Sequence, residues 1–311
     1  MGAFLWSIMF TASKTNLVLA CQAWEHLPKM RQTTGEAAEK GNRVHERIER
    51  YMLGLPCGPA RETPEESAQE EEQLYQCGKR EVEQLRAEGW KLRPEVTVGW
   101  DPVHGKTWGP EVLMTARDYP KMEGFIFGTI DVLGERDGDL LILDWKTGMG
   151  KTAWEQVYTL AATFFEAAGE LGPPGRIFTS VVYLSDSKTV ASEFTAEDYV
   201  THKGRIRSAL DGLSRRSKPI PGPHCCEAYC PALLSCPTVD GYFQRIAREG
   251  DEKRLLDLAQ DSYATDVVLA QAAAKKANEI LGGVKERGLP VYVGDKVYSN
   301  ASGRWIWTKR K

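Results

Sequence analysis

"DVLGERDGDLLILDWKTG", Asp131 to Gly148, decides the fold. Two apolar runs flank Asp137-Gly138, a pair that favours a two-residue hairpin turn because its residues accept the positive φ such turns need. If those two residues are the loop, Arg136 faces Asp139, Leu133 faces Ile142, and Asp131 falls opposite Asp144. Opposed residues share a face, with Cβ atoms about 4.5–5.5 Å apart. Side chains alternate along a strand, so Lys146 joins Asp144 on that face, about 6–7 Å further along. Two carboxylates and an amine converge. Like charges directly opposed destabilise a hairpin unless something neutralises them, so the arrangement suits either an exposed salt-bridge patch or a divalent-cation site.

Outward from the hairpin, "RPEVTVGW" (93–100) and "GFIFGTIDVL" (124–133) read as strands, and "AWEQVYTLAATFFEAAG" (153–169) as a helix that stops at "LGPPG". "RIFTSVVYL" (176–184) and "KTVASEFT" (188–195) are two more strands, followed by a helix from about Ala196 to Ser214. The order strand, strand, helix, strand implies an α/β sheet with helices packed on it. Before it, residues 11–30 have mixed helical periodicity, with Leu17, Ala20, Cys21 and Trp24 on one face. "GEAAEKGNRVHERIERYML" (35–53) repeats Val44, Ile48, Tyr51 and Met52 at helical spacing, with His45 at the edge of the stripe. The acidic run "ETPEESAQEEE" (62–72) opens a solvated helix reaching about Glu88. After the sheet come a short helix near 251–260, an Ala-rich helix near 264–287 and a closing hairpin, "PVYVGDKVYSNASGRWIW" (290–307).

With 311 residues and 42% hydrophobic content the chain can bury a sizeable core in one or two domains. Ala3 to Phe10, the longest early apolar stretch, is too short to cross a bilayer and lacks a basic flank and a small-residue cleavage site, so a cytoplasmic location is expected. A net charge of −3 gives no global attraction to nucleic acid, so any contact with DNA must come from local basic clusters or metal ions. Of seven cysteines, Cys225, Cys226, Cys230 and Cys236 crowd together, which points to metal or cluster ligation before disulfides.

"GTID" followed by "DWK" thirteen residues later, an acid on one strand and acid-x-Lys on the next, resembles the PD-(D/E)xK nuclease superfamily. "GNRVHERIE" with its His on an upstream helix, "EQVYTLAA" with Gln and Tyr on the helix after the hairpin, and the cysteine segment resemble its RecB-like branch, in family order from about Thr11 to Pro237. The resemblance implies a restriction-endonuclease-like mixed β-sheet flanked by helices over residues 1–245, with a helical and hairpin extension over 246–311. It implies that Asp131 and Asp144 hold Mg²⁺ or Mn²⁺ with the Trp145 carbonyl, that His45 completes the shell, and that Lys146 orients or activates the attacking water. Hard carboxylate oxygens suit Mg²⁺, and such an ion lowers the pKa of bound water. Gln156 and Tyr158 would brace the lysine or touch DNA, although alone they read as ordinary helix residues. His45 alone likewise reads as a structural histidine. Glu95 matches an acid one strand earlier and is equally an exposed strand residue.

The same resemblance implies a [4Fe-4S] cluster on Cys21, Cys226, Cys230 and Cys236, with Cys225 the alternative to Cys226 and zinc the alternative metal. Here the second spacing is x3 or x4 where the branch has x2. His224 is exposed or a surrogate ligand, and Cys57 and Cys77 are plain thiols. "GMGKT" (148–152) stands where a phosphate-binding loop belongs, but Trp145 occupies the position of its first glycine. "HKGRIR", "SRRSKP" and the tail "WTKRK" are either phosphate contacts or solvated cations, and Trp145, Trp305 and Trp307 either stack on bases or pack. The expected activity is metal-dependent hydrolysis of DNA, exonucleolytic, at ends or single strands. The alternatives are a non-catalytic DNA-binding or recombination-assembly protein on the same scaffold, and a zinc-stabilised structural module.

Overall fold

The computed structural model describes residues 10–29, 36–58, 65–112, 118–148, 154–169, 175–215, 217–220, 230–239, 291–293, 296–301 and 304–309. Contacts divide the chain into two units, 1–22 with 32–217, and 23–31 with 218–311.

The first unit is a six-stranded mixed sheet flanked by helices, the α/β architecture expected. Its strands are β1 (Lys91–Asp101), β2 (Lys106–Val112), β3 (Ile126–Arg136), β4 (Asp139–Lys146), β5 (Ile177–Tyr183) and β6 (Lys188–Phe194), in the order β2-β1-β3-β4-β5-β6. All neighbours are antiparallel except β4 and β5, which run parallel from Leu140↔Ile177 to Lys146↔Tyr183. A parallel pair needs a crossover, and α4 (Trp154–Ala168) lies in that connection.

Helices α2 (Glu36–Met52) and α3 (Glu65–Ala87) pack on each other and on the sheet. Val44 and Ile48 of α2 and Leu74, Tyr75, Val82 and Leu85 of α3 form one core with Val132, Leu141, Leu143, Trp145 and Val182 of the sheet. A Cβ at Gly78 would lie 2.3 Å from Ile48 Cδ1, so glycine lets the two helices close. Polar contacts run beside this seam: Lys40 to Glu70, Arg43 to Glu71 and Arg47 to Glu72, with the Glu71 side chain 1% exposed. Helix α5 (Ala196–Ser214) begins where expected because Thr195 and Asp198 form a reciprocal capping box.

Two expectations change. Residues 11–30 do not form one helix; a 3₁₀ turn (Ala12–Lys14), a short α1 (Thr15–Ala20) and another 3₁₀ turn (Gln22–His26) replace it. Cys21 is extended, and the Gln22 amide donates to Val18 O at 2.8 Å, taking up a terminal helix carbonyl. The second change is β2, an edge strand that the sequence reading did not anticipate.

In the second unit, a 3₁₀ turn (Leu233–Ser235) sits near buried Ala232, Leu233, Cys236 and Val239, and the Ser235 hydroxyl donates to Pro28 O. Where a hairpin was expected, β7 (Val291–Val293), β8 (Lys296–Ala301) and β9 (Arg304–Lys309) form a three-stranded antiparallel meander. The helices expected near 251–260 and 264–287 lie outside the described residues.

Candidate active site

The β3–β4 turn places the acids. Asp137 and Gly138 have φ of 51° and 87°, the paired positive values of a two-residue turn whose twist matches its strands. The ladder then runs from Arg136↔Asp139 through Leu133↔Ile142 to Val132↔Leu143, the register the turn dictates. One step beyond that last rung, Asp131 stands opposite Asp144. There the Trp145 backbone amide donates to Asp131 Oδ2 at 2.7 Å, so a side chain continues the strand contact where the ladder ends.

Asp144 is 2% exposed. Its Oδ1 accepts from Gln156 Nε2 on the first turn of α4 at 2.8 Å. Its Oδ2, shielded from solvent, lies 2.6 Å from Lys146 Nζ, an ion pair that is its contact among the described residues. Lys146 Nζ also donates to Gln156 Oε1 at 3.4 Å, closing a three-residue ring. Burial pushes the Asp144 carboxyl up and Asp131 adds to the rise, while Lys146 and His45 pull it down; the net direction is upward. Burial pushes Lys146 down, but Asp144 and Asp131 outweigh it and hold the ammonium charged. This buried pair is thus set against its own desolvation, a tension typical of functional carboxylates.

His45 comes from α2, with Nδ1 3.7 Å from Asp131 Oδ2, beyond hydrogen-bond length. Glu95 lies between the rungs Pro94↔Val132 and Val96↔Ile130, in register with Asp131, and holds a left-handed φ of 50°. For a non-glycine residue inside a strand that backbone is strained. Glu95, Asp131 and Asp144 therefore line up across three neighbouring strands.

Tyr158 does not join them. Its ring packs on Phe194 (4.9 Å between centroids), Trp154 (5.9 Å) and His202 (6.0 Å). The Trp145 ring is buried in the core and so is unavailable to stack on bases. Cys21 lies in one unit and Cys230 and Cys236 in the second; Cys225, Cys226 and His224 lie outside the described residues. Among the described residues no three His, Cys, Asp or Glu side chains form a ready metal cage. Mg²⁺ does not require one, since it is commonly held by one or two carboxylates with water and phosphate completing its shell. The buried Oδ2 of Asp144, facing a single ammonium, and the neighbouring Asp131 suit such an ion.

A second polar cluster, unforeseen in the sequence, adjoins the first through Glu155. His202, 1% exposed, faces Glu155 Oε2 with Nδ1 at 3.3 Å and Thr159 Oγ1 with Nε2 at 3.0 Å. Thr159 also donates to Thr15 Oγ1 at 3.1 Å, and Arg205 pairs with Glu155 at 2.7 Å. Burial raises the Glu155 carboxyl, but His202 and Arg205 outweigh it and leave it below the ordinary range. The signal was a histidine within "HKGRIR", read there only as charge. The cations of that segment are engaged within the fold: Lys203 with Glu166, Arg205 with Glu155, and Arg207 with Val103 O.

A family model, the PD-(D/E)XK nuclease superfamily, matches residues 10–237. No curated protein matches the chain.

Proposed function

Because the chain belongs to the PD-(D/E)XK nuclease superfamily, we propose that it hydrolyses phosphodiester bonds of DNA with Mg²⁺ or Mn²⁺, as an exonuclease of RecB-like kind acting on ends or single strands. The observation that carries this reading is the convergence of Asp131, Asp144, Lys146 and Gln156 at the end of the β3–β4 ladder. Asp131 and Asp144, with the Trp145 carbonyl and His45, are the proposed metal ligands. A bound divalent cation would supply an acidified water and offset charge on the phosphate. Lys146, kept protonated by the two acids, places a positive charge where a phosphate oxygen would lie. Gln156 holds both ends of that pair and fixes their geometry. Glu95, in register with Asp131 on the neighbouring strand, would act on the same site. Tyr158, packed among aromatic rings, would brace the helix that carries Gln156.

In the same reading, residues 1–245 form the nuclease domain and 246–311 an extension. Cys21, Cys230 and Cys236, with Cys226 or Cys225, would carry a [4Fe-4S] cluster, or zinc. Protein purified without air should be brown and hold iron; a colourless, zinc-loaded preparation refutes the cluster.

The activity is tested with single- and double-stranded DNA labelled at either end, incubated with Mg²⁺ or Mn²⁺. Asp144→Asn and Lys146→Ala should each lower cleavage at least about 100-fold while leaving a cooperative melt, as loss of a preorganised electrostatic group does. Unchanged digestion by the Lys146 variant refutes the mechanism.

A further inference from the structure

We propose that His202 is a positioning residue for DNA cleavage, an inference that rests on the nuclease reading above. Held as an imidazolium, it grips Glu155 at the start of α4 and keeps the next residue, Gln156, aimed at Asp144 and Lys146. The first turn of a helix has N–H groups without intrahelical partners, so side-chain contacts decide how firmly it is held. Gln156 stands in that turn, bonded to Asp144 at 2.8 Å and to Lys146 at 3.4 Å. Its neighbour Glu155 ties the same turn to α5 through both oxygens, Oε1 to Arg205 at 2.7 Å and Oε2 to His202 Nδ1 at 3.3 Å.

The hydrogen bonds set the charge of the imidazole. The Glu155 carboxyl is an ionised acceptor, because against the upward push of burial His202 and Arg205 hold it below the ordinary range. Its Oε2 and His202 Nδ1 are both shielded from solvent with no hydrogen-bond partner elsewhere among the described residues, so Nδ1 must present a hydrogen to it. Nε2 lies 3.0 Å from Thr159 Oγ1. Thr159 has one hydroxyl hydrogen, for which Glu155 O at 2.7 Å and Thr15 Oγ1 at 3.1 Å already compete, so Nε2 is a donor as well. An imidazole that donates from both nitrogens is a cation. Trp100, buried, lies nearly parallel to the ring at 6.2 Å and 17° and offers it an indole face, which favours that cation. Tyr158 of α4 meets the ring edge-on at 6.0 Å, Arg205 holds the far oxygen of Glu155, and Lys203 is engaged with Glu166. Loss of the Nε2 proton would draw the Thr159 hydrogen away from Glu155 O, and loss of the Nδ1 proton would set a lone pair against a carboxylate. Either loosens the turn that carries Gln156.

Histidine ring ¹⁵N spectra of the full-length protein in EDTA read the protonation state directly; both nitrogens of His202 should carry hydrogen at neutral pH. Single-turnover cleavage of labelled DNA with Mn²⁺ is then followed across the pH range in which histidine titrates. Wild type should slow as the pH rises, in step with loss of that proton, and His202→Gln, which keeps a donor but no charge, should lack that dependence. Its loss of rate is bounded by that of Gln156→Ala, about 10- to 100-fold. The double variant should be no slower than Gln156→Ala alone, because both changes act through one amide. Glu155→Gln should behave as His202→Gln does, and carries the comparison if the buried substitution prevents folding. A singly protonated His202 ring at neutral pH, the wild-type pH dependence retained in either variant, or losses that multiply in the double variant overturns the inference while leaving the nuclease reading standing. Failure of wild type to cut any DNA overturns that reading, and this inference with it.

Discussion

Replacing Lys146 by methionine keeps the length of the side chain and removes the charge 2.6 Å from Asp144 Oδ2. At an effective dielectric of about 20, a unit pair at that separation attracts by about 6 kcal/mol. The variant need not lose that much, because Asp144 can take up a proton instead. Neutralising a carboxyl of ordinary pKa at pH 7 costs about 4 kcal/mol, at about 1.4 kcal/mol per pH unit. The Lys146 side chain is 23% exposed, so solvent screening brings the expected loss to about 2–4 kcal/mol at neutral pH. Burial already raises the Asp144 carboxyl in the wild type, and without the ammonium it rises further. A carboxyl whose folded pKa is raised contributes stability that is fully present below its unfolded value and is lost as pH rises through the folded value. The gap between the two proteins should therefore be widest near neutrality and narrow on acidification, by up to about 1.4 kcal/mol per pH unit, until the wild-type Asp144 also protonates. Urea unfolding at a series of pH values measures it. Mn²⁺ should raise the midpoint of the Lys146→Met variant more than that of wild type, since a cation there replaces the lost ammonium. A gap that stays constant with pH and ignores Mn²⁺ would refute the reasoning.

Two further variants probe the same strands. Gln156→Ala removes the amide that donates to Asp144 Oδ1, and a hydrogen bond to a charged group of about 1.5–3 kcal/mol predicts about 10- to 100-fold slower cleavage with KM little changed, read by single-turnover kinetics. Glu95→Gly relieves the left-handed backbone, so the melting temperature should hold or rise, by up to about 1 kcal/mol of stability, while cleavage falls if the carboxylate is what keeps a strained residue there; undiminished cleavage would assign Glu95 no part in the site.

Local chemistry made the centre of the sheet legible. Asp137-Gly138 fixes a turn, the turn fixes the register, and the register sets Asp131 against Asp144 without reference to anything distant. The start of α5 follows from Thr195 and Asp198 in the same local way. What escaped the sequence depends on docking between remote segments. His202 becomes a buried polar partner only when α5 lies against α4, bringing Glu155 and Thr159 to it, with Thr15 of α1 bonded in turn to Thr159. Edge strand β2 carries Gly109-Pro110 and lacks clean alternation, so nothing in its own residues announces pairing. Residues 11–30 have helical spacing, yet the Gln22 side chain ends α1 by bonding a carbonyl four residues back, a competition that periodicity does not record.

The hydrogen bond from the Trp145 amide to Asp131 gives that acid two duties at once. It is a fastener of the sheet as well as a proposed ligand, at the place where β3 and β4 cease to pair. An alanine there would leave a backbone donor without its acceptor and loosen the seam that aims Asp144, so lost activity would mix architecture with chemistry. Asparagine retains a carbonyl oxygen for the amide and removes only the charge. The difference between Asp131→Ala and Asp131→Asn, in stability and in cleavage, separates the fastener from the ligand within a single side chain.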